Sequence, residues 1–165
     1  MRLKKNTYIW AAASLVCMVV IFMFSSFPAE QSSGMSSPLV DWPLSLIENL
    51  FGVAISFEVR DFFHSLVRKA AHLLIYLALG VTTANTVRHI TSNRKRVFLI
   101  SLCWSSFYAL TDEIHQYFVP GRSCMWQDWV LDTVGVLIGI GLVFLYMRRR
   151  EKASIKVNSI KGSTH

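Results

Sequence analysis

The residues best suited to chemistry lie close together between positions 111 and 135. This stretch reads TDEIHQYFVPGRSCMWQDWVLDTVG, and it contains four carboxylates, one histidine and one arginine. Carboxylates and histidines can transfer protons or bind divalent cations, and arginine can bind a phosphate or a carboxylate. The stretch lies between two long apolar runs, where ionisable side chains are costly and therefore indicate a functional site.

The apolar runs on both sides predict membrane helices. They read VFLISLCWSSFYAL and TVGVLIGIGLVFLYM, and each is too apolar for the surface helix of a soluble domain. The chain of 165 residues is 53% hydrophobic and 16% charged, which is typical of a small polytopic membrane protein. Since a membrane helix needs about 20 apolar residues, we predict an all-α transmembrane domain over residues 1–147, with four spans at about 8–27, 70–87, 97–119 and 129–147.

The basic residues predict the orientation of the chain. With both termini inside, thirteen of the seventeen Lys and Arg residues fall on the inner side of the membrane. This asymmetry predicts an N-in, C-in topology. The basic residues form short clusters beside apolar runs, which is not the footprint of a nucleic-acid-binding protein. The basic tail over residues 148–165 has no apolar periodicity and is predicted to be disordered and cytoplasmic.

Two connecting segments carry recognisable local signals. In the first outer segment the residues PAEQSSGMSSP are turn-rich, and residues 44–51 have apolar side chains at helical spacing. We expect residues 44–51 to form a short amphipathic helix in the membrane interface. Between the third and fourth spans, Pro120 and Gly121 have the positions that favour a type II turn.

Three of the predicted spans bring polar side chains to one depth. At about 1.5 Å per residue, Asp112 lies roughly 22 Å along the third span, past the midplane and below the outer surface. His72 lies roughly 3 Å and Asp132 roughly 5 Å beneath the outer edge on the neighbouring spans. We therefore predict an outward-facing polar cup between these three helices.

Helical periodicity gives each of these spans one polar or small-residue face. The faces consist of Lys69, His72 and Tyr76 on the second span, Ser105, Tyr108, Asp112 and His115 on the third, and Asp128, Asp132, Gly135 and Gly139 on the fourth. The two glycines have the GxxxG spacing that lets another helix pack closely. That helix can belong to the same chain or to the second subunit of a homodimer.

Three motifs make the chain resemble the VanZ-like family of bacterial membrane proteins, whose founding member is associated with resistance to the glycopeptide teicoplanin. They are RKAAHLLIYLALG, TDEIHQYFVPGR and DWVLDTVGVLIG, in this order, with FSSFPAEQSS at the end of the first span. The resemblance extends from Trp10 to Met147. It implies a location in the bacterial plasma membrane and a role in the cell envelope that includes a contribution to glycopeptide resistance.

The motif positions of that family fall on twelve residues of this chain. One of them, Asp132, departs from the family, in which the position is often Asn. The twelve are Arg68, Lys69, His72, Tyr76, Asp112, Glu113, His115, Gln116, Arg122, Asp128, Asp132 and Gly135.

The first functional hypothesis is that the cup binds a ligand. Arg68, Lys69 and Arg122 would contact the phosphate or carboxylate of a lipid headgroup, a lipid-linked wall precursor or a glycopeptide. The opposing hypothesis is that the polar residues only clamp the helices, because the three cations nearly neutralise the four nearby acids.

The second hypothesis is an intramembrane enzyme that acts on a lipid-linked substrate. His115 or His72 would be the general base, and Asp112 and Glu113 would orient it. Oxygen ligands favour Mg²⁺ or Mn²⁺, and the candidate metal ligands are Asp112, His115, Asp128 and Asp132. Neither HExxH nor GxSxG occurs in the chain. A third hypothesis, a proton-coupled carrier, would use the same acids and histidines as a relay and would need a dimer.

Overall fold

The computed structural model describes residues 5–162, apart from the side chains of residues 33, 36 and 156–162, and this part of the chain consists of five α-helices. The helices are α1 (Lys5–Ser25), α2 (Ala29–Phe51), α3 (Phe57–Ile90), α4 (Arg94–Tyr117) and α5 (Trp126–Gly162). Four of them, α1, α3, α4 and α5, are long and apolar enough to cross a membrane. The prediction of an all-α protein with four spans is therefore confirmed.

The long helix α3 is the centre of the bundle, because it packs against each of the other four helices. Its residues Tyr76 and Leu79 are fully buried and form the core together with Val136 and Ile140 of α5. Helix α1 adds Ile21 to the same core. The first helix therefore belongs to the packed body of the protein.

Small residues let α3 and α5 approach each other closely. A Cβ atom on Gly139 would lie 2.2 Å from the Leu77 carbonyl oxygen, and one on Gly135 would lie 2.6 Å from that of Leu73. On the opposite side of the contact, a Cβ on Gly80 would lie 2.4 Å from the Val136 carbonyl oxygen. Helix α3 of the same chain thus packs against the glycine face of α5. Of the two predicted arrangements, packing within the chain and packing in a homodimer, the structure has the first.

The first connecting segment differs from its prediction. We expected a turn-rich stretch followed by a short interfacial helix over residues 44–51, whereas α2 is one helix from Ala29 to Phe51 that includes Pro38 and Pro43. Local preferences against a helix are weak in comparison with tertiary packing, and α2 packs along the first half of α3. The helix ends at Gly52, which adopts the left-handed conformation (φ +64°) and donates its N–H to the Glu48 carbonyl.

The charged first half of α3 also extends further than predicted. The helix that contains the second span begins at Phe57, not near Ala70, and its 34 residues extend about 51 Å. Arg60 compensates the charges on α2, since it lies 2.6 Å from a Glu48 oxygen and 3.2 Å from an Asp41 oxygen. Bonds from the Ile55 amide and Arg60 lower the pKa of Glu48, and bonds from Ser37 and Arg60 lower the pKa of Asp41.

The predicted disordered tail is likewise helical where the structure describes it. Helix α5 continues through Arg148 to Gly162, and Glu151 pairs with Arg94 at the start of α4. Sequence periodicity did not indicate this helix because its exposed turns have no apolar face. The last part of the predicted tail, residues 163–165, lies outside the described residues.

Candidate functional site

The turn between α4 and α5 has the predicted geometry. Gly121 has a φ of +75°, and the Arg122 amide donates to the Val119 carbonyl oxygen at 3.1 Å. Pro120 and Gly121 therefore occupy the second and third positions of a type II turn, where glycine accommodates the positive φ. This turn brings Arg122 back over the ends of α1 and α4.

A polar cavity of about 180 Å³ opens between α3, the end of α4, this turn and the start of α5. Seven of the twelve motif positions line it: Arg68, Lys69, His72, Glu113, Gln116, Arg122 and Asp128. Ser65, Gly121, Ser123 and Met125 complete the lining. The structure thus brings polar side chains of three predicted spans to one cavity, as the sequence predicts.

Arg122 is bound by neutral oxygens in this cavity. One terminal nitrogen donates to Gln116 Oε1 at 3.1 Å, and the other donates to the Phe24 carbonyl oxygen at 3.3 Å. Among the described residues no carboxylate lies within ion-pair distance of Arg122. Burial and the neighbouring Arg68 guanidinium lower the pKa of Arg122. The cavity therefore contains two guanidinium groups that repel each other.

The carboxylate of Asp112 lies beneath the cavity and is almost completely buried. Ser25 Oγ at the end of α1 donates to Asp112 Oδ2 at 2.8 Å, and Gln116 Nε2 donates to the same oxygen at 3.0 Å. A chain of hydrogen bonds therefore runs from Arg122 through Gln116 to Asp112 and Ser25. The other carboxyl oxygen, Asp112 Oδ1, is buried and has no hydrogen-bond partner among the described residues.

His72 and Asp132 form a second buried pair beside the cavity. His72 Nδ1 lies 3.7 Å from Asp132 Oδ1, and the Asp132 side chain is 1% exposed. Neither Asp132 oxygen has a hydrogen-bond partner within the described part of the chain, and the same is true of the fully buried Tyr76 hydroxyl. Tyr76 lies under His72, with ring centroids 6.4 Å apart. The predicted face of Lys69, His72 and Tyr76 on α3 thus points towards the acids of the other helices.

Two further acids are held by specific partners. Lys69 pairs with Asp128 at 2.8 Å, and Glu113 Oε2 accepts from the Met125 amide at 3.3 Å. The Lys69–Asp128 pair joins α3 to α5, whereas the Glu113 bond fixes the loop that leads into α5. The guanidinium groups of Arg68 and Arg122 line the same cavity as the Lys69–Asp128 pair.

His115 does not face the cavity. Its ring stacks on Phe22 of α1 with centroids 4.7 Å apart, and its Nε2 atom lies 3.1 Å from Ser26 Oγ. It shares the α1 side of α4 with Tyr108, whose hydroxyl donates to the Met18 carbonyl. Of the two predicted histidine bases, His72 is therefore the one that lines the polar cavity.

The predicted metal ligands do not gather around one point. His115 faces α1, Asp128 pairs with Lys69, and Asp132 lies beside His72. Over residues 5–162, as far as their side chains are described, no group of three or more His, Cys, Asp and Glu side chains is arranged to bind a metal ion.

The sequence prediction missed the contribution of α1. It assembled the cup from three spans, but α1 also takes part. Ser25 of α1 donates to Asp112, and the Phe24 carbonyl of α1 accepts from Arg122. A signal was present, because Ser25 and Ser26 are part of the FSSFPAEQSS segment. Hydroxyl groups at the end of an apolar helix need hydrogen-bond partners in a membrane.

The sequence prediction also missed an apolar cavity of about 260 Å³ that adjoins the polar one. The two cavities share the side chains of Arg68, His72 and Arg122. The other lining residues come from α1, α2 and α3, and they are Val20, Phe24, Ser32, Met35, Leu39, Val67, Ala71 and Ile75. Helix α2 therefore contributes a wall to the site.

Comparison with known proteins gives one match. Residues 10–147 match the model of a family described as VanZ/LLP1. This range contains all the predicted site residues and both cavities. Searches of curated proteins and of solved structures found no match.

Proposed function

Since this chain belongs to the VanZ/LLP1 family of membrane proteins, we propose that its polar cavity binds the anionic headgroup of a membrane lipid or of a lipid-linked cell-wall precursor. The membrane is the bacterial plasma membrane and the cavity opens to its outer side. A bound precursor would be less accessible to a glycopeptide antibiotic such as teicoplanin. In this way the protein would contribute to glycopeptide resistance.

The observation that carries this proposal is the pair of arginines. Arg68 and Arg122 line the same cavity, and the two bonds that Arg122 donates within the described part of the chain go to neutral oxygens. Two neighbouring guanidinium groups repel each other, and a phosphate or carboxylate between them removes this repulsion and accepts charge-assisted hydrogen bonds. The cup contains one acid more than it has cations, but two of its four acids are already occupied. Asp128 is paired with Lys69, and Asp132 lies beside His72.

The arrangement of the buried acids favours a binding site over a structural clamp. A network that serves only to hold helices would satisfy its own hydrogen bonds, since each unsatisfied buried polar group costs about 1–3 kcal/mol. Among the described residues, Asp112 Oδ1, both Asp132 oxygens and the Tyr76 hydroxyl are buried without a hydrogen bond of ordinary length. Their nearest polar neighbours are each other and His72, at longer range. Groups of this kind occur at functional sites.

The test is headgroup binding by the purified protein in nanodiscs of neutral lipid. We expect the wild-type protein to bind a phosphate monoester, detected by phosphorus NMR or native mass spectrometry. In Arg122→Gln the affinity should fall about tenfold or more, because hydrogen bonds to charged groups contribute about 1.5–3 kcal/mol. The matched control is Arg149→Gln, which removes an exposed arginine of α5 far along the chain from the cavity. Equal affinity in both variants would refute the proposal.

A second candidate function, hydrolysis or transfer at the bound headgroup, is favoured by one observation. His72 lines both cavities, and its Nδ1 faces the buried Asp132 carboxylate. A carboxylate beside a histidine can orient the ring and stabilise its protonated form during general base catalysis. In this case His72→Gln would abolish turnover even when the headgroup site is saturated, whereas His115→Gln would retain turnover.

A further inference from the structure

We propose that the apolar cavity holds the hydrocarbon chain of the same molecule whose anionic headgroup binds in the polar cavity. The ligand is then an amphiphile with a phosphate attached directly to a long chain. This inference rests on the proposed function and adds the ligand class to it.

The first support is that the two cavities are adjacent. Arg68, His72 and Arg122 line both of them, so a phosphate that contacts these side chains lies at the boundary. On one side of the boundary the lining is polar, with Lys69, Asp128 and Ser123. On the other side it changes to Val67, Ile75 and other apolar residues. A molecule with one charged end and one apolar end matches this change.

The second support is the composition of the apolar walls. Val20 of α1, Leu39 of α2 and Ile75 of α3 all line the cavity, and Met35, which also lines it, lies one helical turn before Leu39. Methionine side chains adapt to chains of different shape. A free phosphate or another water-soluble anion would gain nothing from these apolar walls, whereas a hydrocarbon chain would be buried by them.

The third support is that specific bonds hold α2 over this cavity. The Ala29 amide at its start donates to the Pro120 carbonyl of the turn at 3.2 Å. Further along, Asp41 and Glu48 bind Arg60 of α3. Met35 and Leu39 lie between these two attachments. The wall is thus fixed to the same turn that presents Arg122 to the headgroup.

The experiment uses hexadecyl phosphate with a photoactivatable group midway along its chain. After irradiation of the full-length protein in phosphatidylcholine nanodiscs, mass spectrometry locates the cross-links. We expect them in residues 32–39 of α2 and 67–75 of α3. Unlabelled hexadecyl phosphate should compete, whereas hexadecanol should not, because it lacks the anion. Competition by hexadecanol would mean that the cavity takes any membrane chain, and this outcome would overturn the proposal.

Variants test the cavity itself. Ala71 lines the apolar cavity, and Ala71→Trp should reduce these cross-links about tenfold or more by filling the space. Ala71→Leu, a milder change, should give a smaller loss if the tryptophan variant does not fold. The matched control is Ala11→Trp, because Ala11 lines a different apolar groove between α1, α3 and α4. Equal labelling in Ala71→Leu, Ala11→Trp and the wild type would contradict the proposal.

The outcomes separate this inference from the proposed function. If the protein binds a short phosphate monoester and Arg122→Gln abolishes that binding, the headgroup site stands. Cross-links scattered over the outer faces of α4 and α5 would then overturn the chain site alone. If neither the short monoester nor hexadecyl phosphate binds, both proposals fail together.

Discussion

At the scale of single residues, the hydroxyl of Ser25 determines how well the buried carboxylate of Asp112 is accommodated. Ser25 is completely buried and donates to Asp112 at 2.8 Å. Ser25→Ala should reduce the free energy of unfolding by about 1–3 kcal/mol, because a buried carboxylate loses a donor. Thermal unfolding in detergent measures this loss.

Ser26 provides the matched control for that experiment. Its hydroxyl binds the Phe22 carbonyl and lies near His115, and both contacts are exposed. Ser26→Ala should change the free energy of unfolding by no more than about 0.5 kcal/mol. Similar losses of unfolding free energy in the two alanine variants would show that the Ser25–Asp112 bond does not stabilise the protein more than the exposed Ser26 bonds do.

That Asp112, His72 and Asp132 lie near one another could be predicted because the period of a helix and its rise per residue determine which side chains share a face and a level. The role of Ser25 could not, since it depends on a contact across 87 positions. His115 was predicted to belong to the cup but contacts Phe22 and Ser26 of α1, because the neighbour that a helix face meets depends on bundle packing. Local periodicity contains no information about the order of helices around a bundle.

At the scale of the helices, the closeness of α3 and α5 depends on glycine. Gly139→Ala would place a Cβ atom 2.2 Å from a backbone oxygen of α3, so the helices would have to separate. We expect a loss of about 1–3 kcal/mol in the free energy of unfolding, measured by titration with a denaturing detergent.

Gly141 is the matched control for this substitution. It lies two residues later in α5, and a Cβ there would meet no atom within 4 Å. Gly141→Ala should be neutral or stabilise the protein by up to about 1 kcal/mol, since alanine favours helix. If both substitutions were harmless, the close contact of α3 and α5 would not be a source of stability.

The attachment of α2 should depend on pH. The pKa values of Asp41 and Glu48 are lowered in the folded protein by their hydrogen bonds. The stabilisation that these two carboxylates give to the attachment of α2 is therefore complete above the ordinary carboxyl pKa of about 4. It is lost as the pH falls through their lowered pKa values. Amide hydrogen exchange over residues 29–51, corrected for intrinsic rates, should accelerate several-fold in acid.

A charge-neutralising variant tests the same attachment at neutral pH. Glu48→Gln should accelerate exchange in α2 at pH 7, because it removes the charged partner of Arg60. Glu58→Gln is the control, since Glu58 is exposed in the first turn of α3. An α2 that exchanges equally in both variants would show that apolar packing alone holds it.

Helix α2 was also the element that the sequence described least well. Ser, Gly and Pro residues between positions 32 and 43 indicate turns, because these residue types disfavour a helix locally. Packing against α3 and the ion pairs of Arg60 outweigh this preference. The four apolar helices were easier to predict because membrane spans need long apolar segments.

At the scale of the whole molecule, the N-in, C-in orientation predicts which side of the membrane the cavity faces. Cys124 is exposed in the loop between α4 and α5, beside the polar cavity. A membrane-impermeant maleimide should label Cys124 in intact cells. In a variant with Cys17, Cys103 and Cys124 replaced by Ala, a cysteine at Ser92 in the α3–α4 loop should react only after lysis. The reverse pattern would place the cavity on the cytoplasmic side.

The bond between Ser25 and Asp112 also has a consequence for biosynthesis. Helix α1 enters the bilayer early, whereas the carboxylate that it binds is translated 87 residues later. Until then the Ser25 hydroxyl can bond only within its own helix. A nascent chain arrested before α4 would be anchored and already partly folded, yet the polar cavity would not exist, so this cavity forms among the last steps of assembly.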